Sequence, residues 1–148
     1  MDLLSRQNPV FSAYALYSVL LSLKMLALFL RIAYLRVKKK IFISPEDTSL
    51  APGAVVNRDD PDIERTRRAH LNDLENIPMF WIIGFLYVLT RPSALIAENL
   101  FRLYFVARAI HTFVYAFVVF PQPTRAISFL VGIAVKFYMS LQVLAYFS

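Results

Sequence analysis

Four long apolar blocks, separated by short polar connections, account for most of this 148-residue chain. A run of about 20 apolar residues, wound as a helix, crosses roughly 30 Å of hydrocarbon. The apolar residues do not alternate with polar ones in short runs bounded by glycine and asparagine, as half-buried strands would require. Composition points the same way. The chain is 58% hydrophobic, whereas a soluble domain is about 45–50% apolar. The absence of cysteine excludes disulfides, a thiol nucleophile and thiolate metal ligands. Two histidines give no basis for a structural metal site, and no metal is expected. A net charge of +6 would raise nucleic acid as a partner in a soluble protein. Here the basic residues gather in one loop and at helix ends, which fits membrane orientation and anionic head groups instead. No nucleic acid is expected.

The first span is expected over about residues 10–35, interrupted only by Lys24 between Val10 and Leu30. A basic cluster of Arg31, Arg36, Lys38, Lys39 and Lys40 marks its end. No small-residue cleavage site follows the block, so it is expected to act as an uncleaved membrane signal. Residues 36–61 form the one real loop, with Pro45, Pro52 and Gly53. Asp59-Asp60-Pro61 predicts a helix start, with acids at the positive end and proline in the first turn. The second span, about 62–90, is compound. Asp62 to Asn76 are polar without a breaker, Ile77 to Leu89 are apolar but too few to span alone, and one helix explains both. Pro78 is expected to kink it. After Arg91-Pro92-Ser93 the third span, about 94–119, carries Glu98, Arg102, Arg108 and His111. Pro121-Gln122-Pro123 is the next turn, and the fourth span, about 125–147, holds Lys136.

The whole chain, 1–148, therefore reads as a single all-α domain, an integral membrane four-helix bundle running up-down-up-down. The positive-inside rule places the loop of about 36–61 in the cytosol and both termini on the other side. Arg125 then emerges on the same face as Arg65 to Arg68. Glu98 and Arg102, spaced i, i+4, are expected to form a local ion pair, and Lys24 and Lys136 to snorkel or to pair inside the bundle.

Charged groups at membrane depth cost several kcal/mol unless paired or hydrated, so they mark functional or packing sites. The densest polar run is Glu64 to Asn76. On a helix Arg68, Asn72 and Glu75 share one face, with Arg65 below and Arg67 and His70 to one side. Guanidinium forks, an amide and a carboxylate in line suit a small zwitterion with several carboxylates and an amino group. A solvated, ion-paired face is the plainer reading of such a run, and the pattern by itself favours it. Arg108, His111 and Tyr115 fall at i, i+3, i+7 on the third span, and a polar stripe in an apolar helix must point into the protein. His111 alone would be helix–helix glue and Tyr115 alone an interfacial aromatic; the three together point toward a site.

Ser44-Pro45-Glu46-Asp47 and the run from Asp62 to Ile77 resemble the signature of the MAPEG family, the membrane-associated proteins of eicosanoid and glutathione metabolism. Ala107-Arg108-Ala109-Ile110-His111-Thr112 with Tyr115, and Pro121 to Phe129, extend the resemblance over nearly the whole chain from the first span onward. It implies a homotrimer of four-helix protomers, with glutathione bound between subunits near the cytosolic face. By motif position the glutathione-binding set is Arg36, Arg67, Arg68, His70, Asn72, Glu75, His111 and Tyr115. Arg125 occupies the position of the family arginine that stabilises the glutathione thiolate, which makes it the implied catalytic residue. Leu71, Ala126 and Phe129 stand where the prostaglandin E synthase branch has arginine, serine and tyrosine, so the chain is nearer the microsomal glutathione transferase branch.

The implied activity is a glutathione-dependent transferase or peroxidase acting on lipophilic electrophiles or lipid hydroperoxides, in the endoplasmic reticulum of a eukaryote or the inner membrane of a bacterium. The same residues also fit a glutathione-dependent prostaglandin E synthase. A lipid-presenting scaffold without catalysis and a small channel are the remaining classes. The polar stripe argues against the scaffold, and a channel would carry charge across a bilayer without forming thiolate.

Overall fold

The computed structural model describes residues 2–118, 120–121 and 123–148. Four long helices account for most of it: α1 Pro9–Lys39, α2 Pro61–Leu89, α3 Ala94–Ala116 and α4 Thr124–Phe147. α1 and α4 are long and apolar enough to cross a membrane. α2 and α3 are diluted by their charged residues.

Local chemistry sets the helix ends. Asn8 caps α1 by accepting from the Val10 amide at 3.0 Å, and Pro9 takes the first turn. α1 runs to Lys39, a turn beyond the predicted end of the first span. It closes on Lys40, whose left-handed backbone (φ 56°) lets its amide reach the Arg36 and Val37 carbonyls. Arg36, Lys38 and Lys39 in the last turn face the negative end of the helix dipole. Asp60 caps α2 by accepting from the Asp62 and Ile63 amides, with Pro61 in the first turn, as the sequence predicts. α2 then continues through Pro78 as one helix. α3 stops at Ala116, short of the predicted 119, because the Phe117 and Val118 amides both turn back to the Phe113 carbonyl. Position 119, and Gln122 in the turn before α4, lie outside the described residues.

The segment expected as plain loop is folded. Ile41–Phe42 (β1) and Val55–Val56 (β2) pair in parallel, joined by Val55 N–H to Lys40 O and Asn57 N–H to Phe42 O, both 3.0 Å. A 3₁₀ turn, Pro45–Leu50, lies between them. Lys39, the last residue of α1, fastens that helix to the start of α2, donating to Asp60 at 2.9 Å and Asp62 at 2.5 Å.

α2 and α3 pack together in the middle, and each also packs against both α1 and α4. Among the described residues α1 and α4 make no contact with each other. Phe80 of α2 stacks on Tyr104 of α3 at 4.2 Å between ring centroids, with Phe101 edge-on to Phe80. Gly84 lets α1 approach α2. A Cβ there would lie 3.1 Å from the Tyr14 ring, and the Tyr14 hydroxyl donates to the Trp81 carbonyl at 2.9 Å. Outside this core, large apolar side chains on all four helices face outward, among them Leu16, Phe29, Ile82, Leu95, Phe137 and Leu144.

Candidate functional site

The inward face of α2 carries Ala69, Asp73, Ile77 and Phe80, all fully buried. A buried carboxylate is tolerated only if it is paired and hydrogen-bonded. Asp73 accepts from Lys24 of α1 at 2.5 Å, from Arg108 of α3, and from the Thr112 hydroxyl at 3.3 Å. Lys24 also donates to Thr112 at 2.7 Å. The network continues along α2. Arg108 donates to Asn72 Oδ1 at 2.8 Å, Asn76 Nδ2 donates to the Asn72 carbonyl at 2.9 Å, and Lys136 of α4 donates to Asn76 Oδ1 at 2.9 Å. The Tyr104 hydroxyl closes it on the Asn76 carbonyl at 3.0 Å. Lys24 thus pairs with Asp73 inside the protein, one of the two outcomes the sequence left open, whereas Lys136 is buried against the neutral Asn76 and joins no ion pair among the described residues.

The structure sorts the candidate site residues into three groups. The first is His111, Tyr115 and Arg125. His111 is buried, and its Nδ1 has no partner among the described residues. Its ring centroid lies 5.6 Å from that of Tyr115 and 6.1 Å from that of Phe129. The exposed Arg125 lays its guanidinium 4.7 Å from the Tyr115 centroid and has no carboxylate partner among the described residues. An arginine on an aromatic face is held in orientation while its N–H edges stay available.

The second group is Arg68, Asn72 and Glu75 on the flank of α2 turned away from the buried stripe. Arg68 and Glu75 are exposed and make no side-chain hydrogen bond or ion pair among the described residues. Asn72 is half-buried, and with its Oδ1 held by Arg108 it keeps its amide N–H donors for a ligand.

The third group is Arg36 and Arg67. Arg67 is engaged by Glu64 through two bonds of 2.7 and 2.8 Å, so binding a ligand would require exchange or sharing of Glu64. Arg36 is half-buried, with its Nε unpartnered among the described residues. His70 is half-buried and joins none of these groups through a hydrogen bond.

One expected pair does not form. Arg102 donates to the Tyr17 hydroxyl at 3.2 Å and to Asn99 at 3.3 Å, and no ion pair joins it to Glu98 among the described residues. The i, i+4 spacing allowed that contact, but a phenol from α1 took the guanidinium. Sequence reasoning also missed Asp73 as the hub. The signal was present: Asp73 shares a stripe with Ala69, Ile77 and Phe80, and a carboxylate on an apolar stripe must find cations in neighbouring helices.

The family model described as the MAPEG family matches residues 14–145. The chain belongs to the MAPEG family. Microsomal glutathione S-transferase 1 of Homo sapiens is 43% identical over 142 residues, which is 93% of this chain and 90% of that protein. The same protein of Sus scrofa is 40% identical over 142 residues, covering 93% and 91%. Prostaglandin E synthase of Bos taurus is 35% identical over 136 residues, covering 92% and 88%. This MAPEG chain is thus similar to members with two named activities, along almost its whole length.

Proposed function

We propose that this chain is a membrane-embedded glutathione transferase that works as a homotrimer, with Arg125 stabilising the thiolate of bound glutathione. The observation that carries the reading is Arg125 itself, a cation oriented by Tyr115, beside buried His111 and without a counter-ion among the described residues. A free thiol of pKa ~8.5 is mostly protonated at neutral pH, and the thiolate is the nucleophile. A guanidinium in a pocket of low dielectric favours the anion. Arg68, Arg36 and Arg67 suit the two ligand carboxylates, Glu75 the ammonium, Asn72 a peptide carbonyl, and His70, His111 and Tyr115 the rest of the cradle. The sulfur then bonds to an electrophilic carbon and the leaving group departs with the electron pair.

The outward-facing leucines and phenylalanines support a bilayer around the helices, since soluble monomers rarely expose such extensive apolar surface. In this proposal the four helices form a multi-pass bundle, with the 36–61 loop cytosolic and the protein in the endoplasmic reticulum if the source is eukaryotic. The trimer is supported by two features. The outward polar flank of α2 has no cover within one chain, and charge facing lipid is costly. The apolar faces of α1 and α4, which would together receive a lipophilic substrate, do not meet within one chain.

Ultraviolet difference absorption on adding glutathione at neutral pH is expected to show a thiolate band. No band at saturating glutathione would overturn the mechanism. Native mass spectrometry from mild detergent is expected to show three copies, and a stable, active monomer would overturn the assembly. The similarity to prostaglandin E synthase keeps a second reading, in which the same thiolate isomerises an endoperoxide; product analysis with the two substrate types separates them.

A further inference from the structure

We infer that the groove between α2 and α4 at Lys136 binds the carboxylate of a long-chain fatty acid. Lys136 is 7% exposed, and its ammonium carries three N–H donors. Among the described residues its one hydrogen-bond partner is the neutral Asn76 Oδ1, and no carboxylate lies within ion-pair distance. Asn76 is a neutral amide whose Nδ2 donates to the Asn72 carbonyl, so it gives the ammonium an acceptor but no counter-charge. The one buried carboxylate nearby, Asp73, is taken by Lys24 and Arg108.

The charge balance points to an anion. Lys24, Arg108 and Lys136 are three largely buried cations against Asp73 alone among the described residues. A buried charge of this kind is stabilised chiefly by an opposite charge in contact with it. The groove beside Lys136 supplies room for one. It has a volume of about 390 Å³ and is lined by Asn76, Met79, Ile83, Ile133, Lys136, Phe137 and Ser140, whose hydroxyl donates to the Lys136 carbonyl, within the range of small-molecule sites. Met79, Ile133 and Phe137 form apolar walls open to the outside of the helices. A cationic floor under apolar walls fits a molecule with one anionic end and one hydrocarbon chain.

Depth selects among such molecules. Lys136 lies midway along α4, twelve residues after Thr124 and eleven before Phe147. In a bilayer that is near the centre, beyond the reach of a phospholipid phosphate anchored at the interface. A single-chain acid has no second tail or bulky head to hold it there.

The test needs no glutathione, so its failure is separate from a failure of the thiolate reading. Radiolabelled oleate and methyl oleate are titrated against the purified protein in nonionic detergent. The acid is expected to bind roughly tenfold or more tighter than the ester, the size of one charge-assisted contact. Lys136→Met is expected to bring the two within about twofold, while Lys136→Arg keeps the preference. Equal binding of acid and ester by the unaltered protein overturns the proposal and needs no variant to fold. An undiminished preference in Lys136→Met overturns it too, and would mean that Lys136 serves only Asn76 or a neighbouring copy.

Discussion

Two faces of α2 carry charge within one turn of each other, and they are built on opposite terms. On the inward face Asp73 is fully buried and holds Lys24, Arg108 and Thr112. On the outward flank Arg68 and Glu75 are exposed and hold nothing among the described residues. The inward charges tie α1, α2 and α3 into one protomer. The outward charges are free for a ligand or a second subunit. Under the proposed function, holding the fold and binding the ligand fall to different faces of a single helix, and substitutions should separate them.

The largest effect is expected on the inward face. Asp73→Ala leaves Lys24 and Arg108 buried without a counter-charge, which should cost about 3–5 kcal/mol of stability. Unfolding in detergent measures this; an unchanged transition would mean the inward face does not hold the protomer. Next comes Arg125→Leu. Loss of an oriented donor to a developing anion typically costs about 10²–10³-fold in turnover. The thiolate band should vanish at neutral pH and return only as pH approaches ~8.5, while Arg125→Lys keeps part of it. The unfolding transition should not move, because Arg125 is exposed and, among the described residues, its side chain joins no hydrogen bond or ion pair and lies over the Tyr115 ring face.

Glu75→Gln should be milder. A lost charge-assisted contact is worth about 1.5–3 kcal/mol, or roughly 10–100-fold in glutathione affinity. Turnover of the bound complex should be retained, and saturation kinetics separates the two. Normal affinity would place the ligand's ammonium elsewhere. The smallest effect belongs to the half-buried clasp of Lys39 and Asp60 at the start of α2. The hydrogen bond from Lys39 holds the Asp60 carboxyl below its ordinary value. A depressed carboxylate pKa contributes stability that is whole above the unfolded value of ~3.9 and fades as pH falls through the lower folded value. Lys39→Met should lessen that acid loss, read as the shift in unfolding midpoint between pH ~5 and pH ~2. An identical shift in both proteins would show that the clasp is solvated away.

Much of this was legible in the sequence because it depends on neighbours along the chain. Asp60-Pro61 marked the start of α2 through its own cap, and the stripe of Arg108 and His111 announced burial by spacing alone. The helix across the polar-to-apolar boundary at Asn76 followed from the lack of any breaker. What stayed hidden depends on groups far apart in sequence. Asp73 and Lys24 are 49 residues apart, and Asp73 sits one position from Asn72, about 100° around the helix, so attention to the Asn72 flank passed over it. Arg102 went to Tyr17, 85 residues away, which no spacing rule foresees. The β1–β2 pair was missed because two residues are too short to show a period.

That α1 and α4 never touch has a bearing on how the chain is made. Among the described residues every partner of Asp73 lies on α1 or α3, so its ion pairs need nothing from α4. A nascent chain can close them while α4 is still within the ribosome. Lys136 and Arg125 arrive afterwards, together, on one helix. A chain stalled before Thr124 would hold every ion pair of Asp73 but lack Val135, Met139 and Lys136 from its interior, and with them Arg125, the proposed partner of the thiolate.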